Sequence, residues 1–144
     1  MQPYENGTEW YNSAMAMEGS FAVNGVISPT LASIRDGNSN NITSVTRVSA
    51  GLFRVKIAGR FPLPFSIVTA EAWVQPKANA TVTTAVVCGV VTDSFNRSAR
   101  TFDILTTQVD TAASGTVVAV AADPDDTCRI GFRLKGSMNR SGKD

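Results

Sequence analysis

The residues that can do chemistry here are few. The chain has four glutamates, eight aspartates, two cysteines and no histidine. Without histidine there is no Ser-His-Asp or Cys-His catalysis and no His-ligated zinc. Asp123, Asp125 and Asp126 cluster in sequence, and clustered carboxylates can hold Ca²⁺, which takes six to eight oxygen ligands. The EF-hand spacing is absent, however, and Asp123-Pro124-Asp125 has the composition of an ordinary turn. Glu71 and Asp103 would resemble a glycosidase couple only if their carboxyls faced each other at a set separation. Nothing in the sequence brings them together, so Glu71 is expected to be a surface or interface carboxylate. Cys88 and Cys128 lack a Cys-x-x-Cys spacing, lie in apolar strand patterns and are expected to be small buried hydrophobes. No catalytic residue, cofactor or metal site follows from these patterns, and the expectation is a protein that is not an enzyme.

The basic residues are dispersed. Thirteen Lys and Arg against twelve Asp and Glu leave a net charge of +1, too little for a general nucleic-acid binder. Arg129, Arg133 and Lys135 share one face of a strand, as do Arg54 and Lys56. Such stripes are expected on the wet face of a sheet, or as a docking stripe for an acidic neighbour. Aromatic residues do not interleave with them, which argues against stacking on single-stranded nucleic acid.

The elements that must carry these residues read as β. Charged residues make up 17% of the 144 residues and apolar ones 43%, the composition of a domain with a core. Val23 leads into Asn24-Gly25, a strong turn dipeptide. Ile42–Val48 and Leu52–Ile57 flank Ser49-Ala50-Gly51, which suits a three-residue hairpin loop with a left-handed glycine. Pro62 and Pro64 mark 60–64 as a crossing between sheets or an edge. Phe65–Val74, Thr81–Thr92, Arg100–Thr107 and Thr116–Ala122 follow as strands. The last strand alternates most cleanly, with Cys128, Ile130, Phe132 and Leu134 on one side and Arg129, Gly131, Arg133 and Lys135 on the other. About eight strands without intervening helices predict an antiparallel β-sandwich or jelly roll over residues 20–136. A polar tail, 137–144, follows it. Five Asn-x-Ser/Thr sequons, at Asn6, Asn41, Asn79, Asn96 and Asn139, read as turn chemistry.

Residues 1–19 are expected to form an arm, or a short helix capped by Thr8, running from Glu9 to Glu18 and closed by Gly19. Tyr4, Trp10, Tyr11, Met15 and Met17 cannot build a core of their own, and aromatic and Met side chains are enriched in interface cores. With Trp73 they form a candidate interface set. Phe65–Val74 and Ala85–Val91 are apolar on both faces, whereas a sandwich strand normally leaves one face polar. A neighbouring subunit covering the second face is the expectation. The opening Met1–Gly7 has no basic or apolar signal region, and no window approaches the roughly 18 apolar residues that span a bilayer. The expectation is therefore synthesis in a host cytoplasm, with no membrane partner.

Three segments carry a resemblance. Ile42-Thr43-Ser44-Val45-Thr46-Arg47, then Gly51-Leu52-Phe53-Arg54-Val55, then Ile130-Gly131-Phe132-Arg133-Leu134 after an Asp-rich turn resemble small all-β virion proteins of tailed bacteriophages. These are of the head-decoration (cement) or fibre type. The likeness spans Ile42 to Lys135 and rests on strand-and-turn texture. It implies a non-catalytic virion structural protein, commonly a homotrimer, bound to a major capsid or other virion protein. A head or tail fibre component is the alternative within that class. A sugar-binding β-sandwich module is the alternative outside it. Such a module should show exposed Trp or Tyr on loops within the β region, and Trp73, mid-strand, weighs against that reading.

Overall fold

The fold was obtained as a computed structural model, which describes residues 14–36, 42–58, 66–75, 86–111, 115, 117–124 and 128–137. Among the described residues nine strands form two antiparallel sheets. They are β1 (Ala14–Ala22), β2 (Arg35–Asp36), β3 (Ile42–Ser49), β4 (Leu52–Ile57) and β5 (Ser66–Gln75). β6 (Val86–Val90), β7 (Thr101–Thr111), β8 (Val117–Ala121) and β9 (Arg129–Ser137) complete the set. The first sheet has the order β2-β1-β9-β5; the second has β3-β4-β7-β6, with β8 also paired to β7. The all-β sandwich read from the strand pattern is the fold.

Period-2 alternation builds the core. On β9, Ile130, Phe132 and Leu134 are buried, while Arg133 and Lys135 are exposed. On β4, Phe53, Val55 and Ile57 are buried between exposed Arg54 and Lys56. Aromatic pairs join the layers: Phe21 of β1 meets Phe53 of β4 at 5.5 Å, and Phe102 of β7 meets Phe132 of β9 edge-on at 5.2 Å. Phe95 stacks on Phe102 at 5.7 Å.

Two expectations at the N-terminal side are corrected. The strand pattern begins at Ala14 instead of Ser20, and Ala14–Glu18 are strand where an arm or a short helix over 9–18 was expected. β1 pairs with β9 from Ala14↔Ser137 to Ala22↔Arg129. Backbone pairing along a whole neighbouring strand outweighs the helix propensity of Ala, Met and Glu. Gly19, expected to close a helix, is instead a strand glycine opposite Phe132. A Cβ there would lie 2.4 Å from Ile42 Cδ1 and 2.9 Å from Phe132 Cζ, so the core needs the hydrogen. Met17, an interface candidate by sequence, is 4% exposed and belongs to the core.

Removing residues 1–13 leaves every described strand pair intact, whereas removing 1–18 strips five residues, the buried Met17 among them, from the β1–β9 ladder. Circular dichroism with thermal melting should show a native-like β signal for the first truncation and a lowered midpoint for the second. Equal midpoints for the two would contradict the register.

Other boundaries shift modestly. Ser49 pairs with Leu52, so the β3–β4 turn narrows to Ala50-Gly51, with Gly51 at φ +72° as a left-handed glycine requires. β7 runs to Thr111, past the expected Thr107, because β8 takes over its edge where β4 ends. Thr106 sits at that handover, fully buried. Its N–H donates to the Gly51 carbonyl (2.7 Å), its carbonyl accepts from Ala122 N–H (3.1 Å), and its hydroxyl donates to the Ala122 carbonyl (2.6 Å). The crossing expected at 60–64 and the polar tail beyond Ser137 lie outside the described residues. β4 and β5, on either side of that crossing, do belong to different sheets.

Candidate functional site

The carboxylates are distributed among ion pairs. Glu71, on the outer face of the first sheet, lies in a cross-strand row with Arg133 and Glu18. Arg133 Nε donates to Glu18 (2.7 Å) and its Nη1 to Glu71 (3.4 Å). Asp103 is on the second sheet, where Arg54 grips it through two hydrogen bonds of 2.8 and 3.0 Å. The two carboxylates thus belong to separate ion pairs on separate sheets, not to an acid/base couple. The Arg54 guanidinium is held above its ordinary pKa by the hydrogen bond to Asp103 and then by that residue's charge.

Asp123 is structural. It accepts three hydrogen bonds from Arg47, the shortest 2.7 Å, and one from Gly51 N–H at 2.9 Å. These tie the β3–β4 turn to the end of β8. Asp125 and Asp126 lie outside the described residues. Burial pushes the Asp123 carboxyl up, but the hydrogen bonds from Arg47 and Gly51 and the Arg47 charge outweigh it and hold the pKa below the usual value. A carboxylate whose folded pKa is depressed adds stability that is fully present above its unfolded pKa, about 3.9. That contribution is lost as pH falls through the lowered folded value. Urea titrations at pH 6 and pH 3 should therefore show an acid loss in the native chain that Asp123→Asn diminishes. An equal loss in both would contradict this role.

Arg129 is engaged as well. It donates to Ser20 Oγ (3.0 Å) and to the Ser33 carbonyl (2.6 Å), and burial and then the charge of Arg35 lower its pKa. Cys88 and Cys128 are both free thiols. Burial pushes the Cys88 thiol up to about 12, so it is inert as a nucleophile at neutral pH.

Of the expected interface residues, Tyr4, Trp10 and Tyr11 lie outside the described residues. Met15 pairs through its backbone with Gly136 in the β1–β9 ladder. Trp73 is half-buried and occupies the outer face of the first sheet, in register with Gly131. Beside it lies a shallow groove of about 260 Å³, lined by Glu18, Arg35, Asp36, Gln75 and Arg133 among others.

Part of the double apolarity expected of the strands is resolved within the chain. On β5, Thr69, Ala70 and Glu71 are exposed, while Ala72 and Val74 pack against the core. Elsewhere apolar surface stays uncovered. On β6, Val87 is 62% exposed, and it shares the outer face of the second sheet with Val109 and Ala119. Val118 and Val120, on the other face of β8, are about as exposed as Val109. β8 therefore presents apolar side chains on both faces, and its sequence, Val-Val-Ala-Val-Ala, holds no charge.

A second apolar surface escaped the sequence reading. Val26, at 74% exposure, Ile27 and Leu31 project from the segment after β1. Arg47 N–H donates to Ser28 Oγ at 2.9 Å, which sets this segment beside the β3–β4 turn and exposed Val48. Its signal was the apolar pair directly after Asn24-Gly25, where a turn has no reason to carry valine and isoleucine. Comparison with known protein families, curated proteins and solved structures finds no match for the chain.

Proposed function

We propose that the chain is a non-enzymatic structural protein of a phage virion, binding a head as a decoration or cement subunit and assembling with its own copies. The observation that carries the reading is β8. Among the described residues it pairs with β7 on one edge and with no strand on the other. An uncharged, exposed edge strand is what proteins normally avoid, because its unpaired N–H and C=O groups recruit another chain. Apolar surface of this kind fits a permanent interface between identical subunits, which is more hydrophobic than a transient one. The likeness of the β3–β4 hairpin and of β9 to phage virion proteins supplies the setting. The exposed Val26, Ile27 and Leu31 offer a second contact toward the shell.

Mass spectrometry of purified phage particles from cells producing this chain tests the reading. Peptides of the chain in stoichiometric ratio to the major capsid protein are expected. Particles free of the chain, with all of it in the cleared lysate, would overturn the proposal.

A further inference from the structure

The outer face of the first sheet, the sheet that does not contain β8, carries a feature of its own. Gly131 sits between inward-pointing Ile130 and Phe132, so its missing side chain would point outward. Trp73 fills that space from the neighbouring strand. The indole atoms Cε2, Cζ2 and Nε1 lie 2.6, 2.7 and 2.7 Å from where a Gly131 Cβ would be. Three adjacent ring atoms at nearly equal distance mean that the ring lies face-down on β9. Its opposite face is turned outward, which accounts for the half-buried state of Trp73.

The surroundings of that ring are polar and electrically balanced. The groove beside it is lined by Glu18, by two bases, Arg35 and Arg133, and by the amide of Gln75. Glu71 reaches Arg133 across the same face, whereas Asp36, in register with inward-facing Gly19, turns its carboxylate to Ile42 N–H. The acids offer acceptors, the guanidinium groups offer donors, and the amide offers both. The formal charges of Glu18 and Glu71 cancel those of Arg35 and Arg133, so neither an anion nor a cation gains net attraction. At about 260 Å³ the groove is smaller than the roughly 300–1,000 Å³ of an enclosed small-molecule pocket, which suits one ring of a longer chain lying across it.

We propose that this face binds a neutral saccharide, with the apolar C–H face of one pyranose ring stacked on Trp73 and its hydroxyls bonded to the groove side chains. A sugar hydroxyl both donates and accepts, so it needs the mixture of acceptors and donors found here. A pyranose also presents a flat apolar face that matches an indole. Trp73 sits mid-strand, where the sequence argued against a sugar site. The structure changes that reading, because the residue lies on an outer sheet face held open by a glycine. The inference stands apart from the virion reading and survives its failure.

The test is the intact chain on an array of neutral, sialylated and uronic-acid glycans, followed by calorimetry with the best soluble neutral glycan. Binding to neutral glycans is expected, with Trp73→Ala weakening it at least tenfold while circular dichroism stays native. Gly131→Ala, which displaces the ring, should weaken it as well. Arg54→Ala, on the other sheet, should leave it unchanged. If Trp73→Ala does not fold, the double variant Glu18→Ala/Gln75→Ala, at two exposed positions of the groove, replaces it, with the same loss expected. No neutral glycan bound, binding confined to acidic glycans, or affinity unchanged in the folded variants would each overturn the proposal.

Discussion

Phe102→Ala is expected to lower the unfolding free energy by about 3–5 kcal/mol, the usual result of emptying a buried aromatic site. Phe102 is fully buried, and its ring touches Phe95 at 5.7 Å and Phe132 at 5.2 Å. Phe132 belongs to the opposite sheet, so the cavity would open between the layers, where β7 and β9 cannot close up without disturbing their ladders. The edge-on contact with Phe132 adds about 0.5–1.5 kcal/mol beyond area burial. Domains have stabilities of roughly 5–15 kcal/mol, so this one ring accounts for a large fraction. Urea unfolding followed by fluorescence measures it. A loss below about 1 kcal/mol would mean that Phe102 does not bridge the sheets.

Gly51→Ala should rank next, at about 2–5 kcal/mol, from two separable causes. The first is φ at +72°, a conformation that costs an L-residue roughly 1–2 kcal/mol. The second is crowding. An added Cβ would lie 2.5 Å from the Thr106 carbonyl oxygen and 2.6 Å from Ala122 N, backbone atoms that cannot rotate aside. Gly25 supplies the control, since it has φ +57° but nothing within 4 Å of where an added Cβ would lie. Gly25→Ala should therefore show the conformational cost alone. Equal losses at the two glycines would remove the steric part of the argument.

Strict alternation is what makes strands legible in this sequence. β4 and β9 are readable because each carries buried residues at every second position with polar or glycine partners between them, while β3, whose buried Ile42 and Val45 straddle a register shift, is readable from its turn with β4. The start of β1 reads as an arm or a short helix because Ala, Met and Glu favour helix and Gly19 imitates a cap. The competing signal is the series Met17, Gly19, Phe21, Val23 at period 2, with Glu18 and Ser20 opposite. The contribution of Gly19 to that series becomes visible only when Phe132 and Ile42 are placed against it. Trp73 stands out in the sequence but cannot be assigned to a face, because an apolar residue on a strand apolar on both sides has no preferred direction. The missing Cβ of Gly131, 58 positions later in the chain, decides it. Likewise, the Arg47–Asp123 pair joins residues 76 positions apart with no local pattern to announce it. β7 outruns its expected end because Gln108 and Asp110 look like a strand terminus until β8 pairs with them.

In the proposed assembly the apolar face and edge around β8 join copies of this chain. Sedimentation equilibrium of the purified protein at micromolar concentration addresses it most directly. An assembly near three times 15.3 kDa is expected, shifted toward the single chain by Val118→Asp/Val120→Asp with the β signal retained. A native protein that sediments as one species near 15.3 kDa would contradict it.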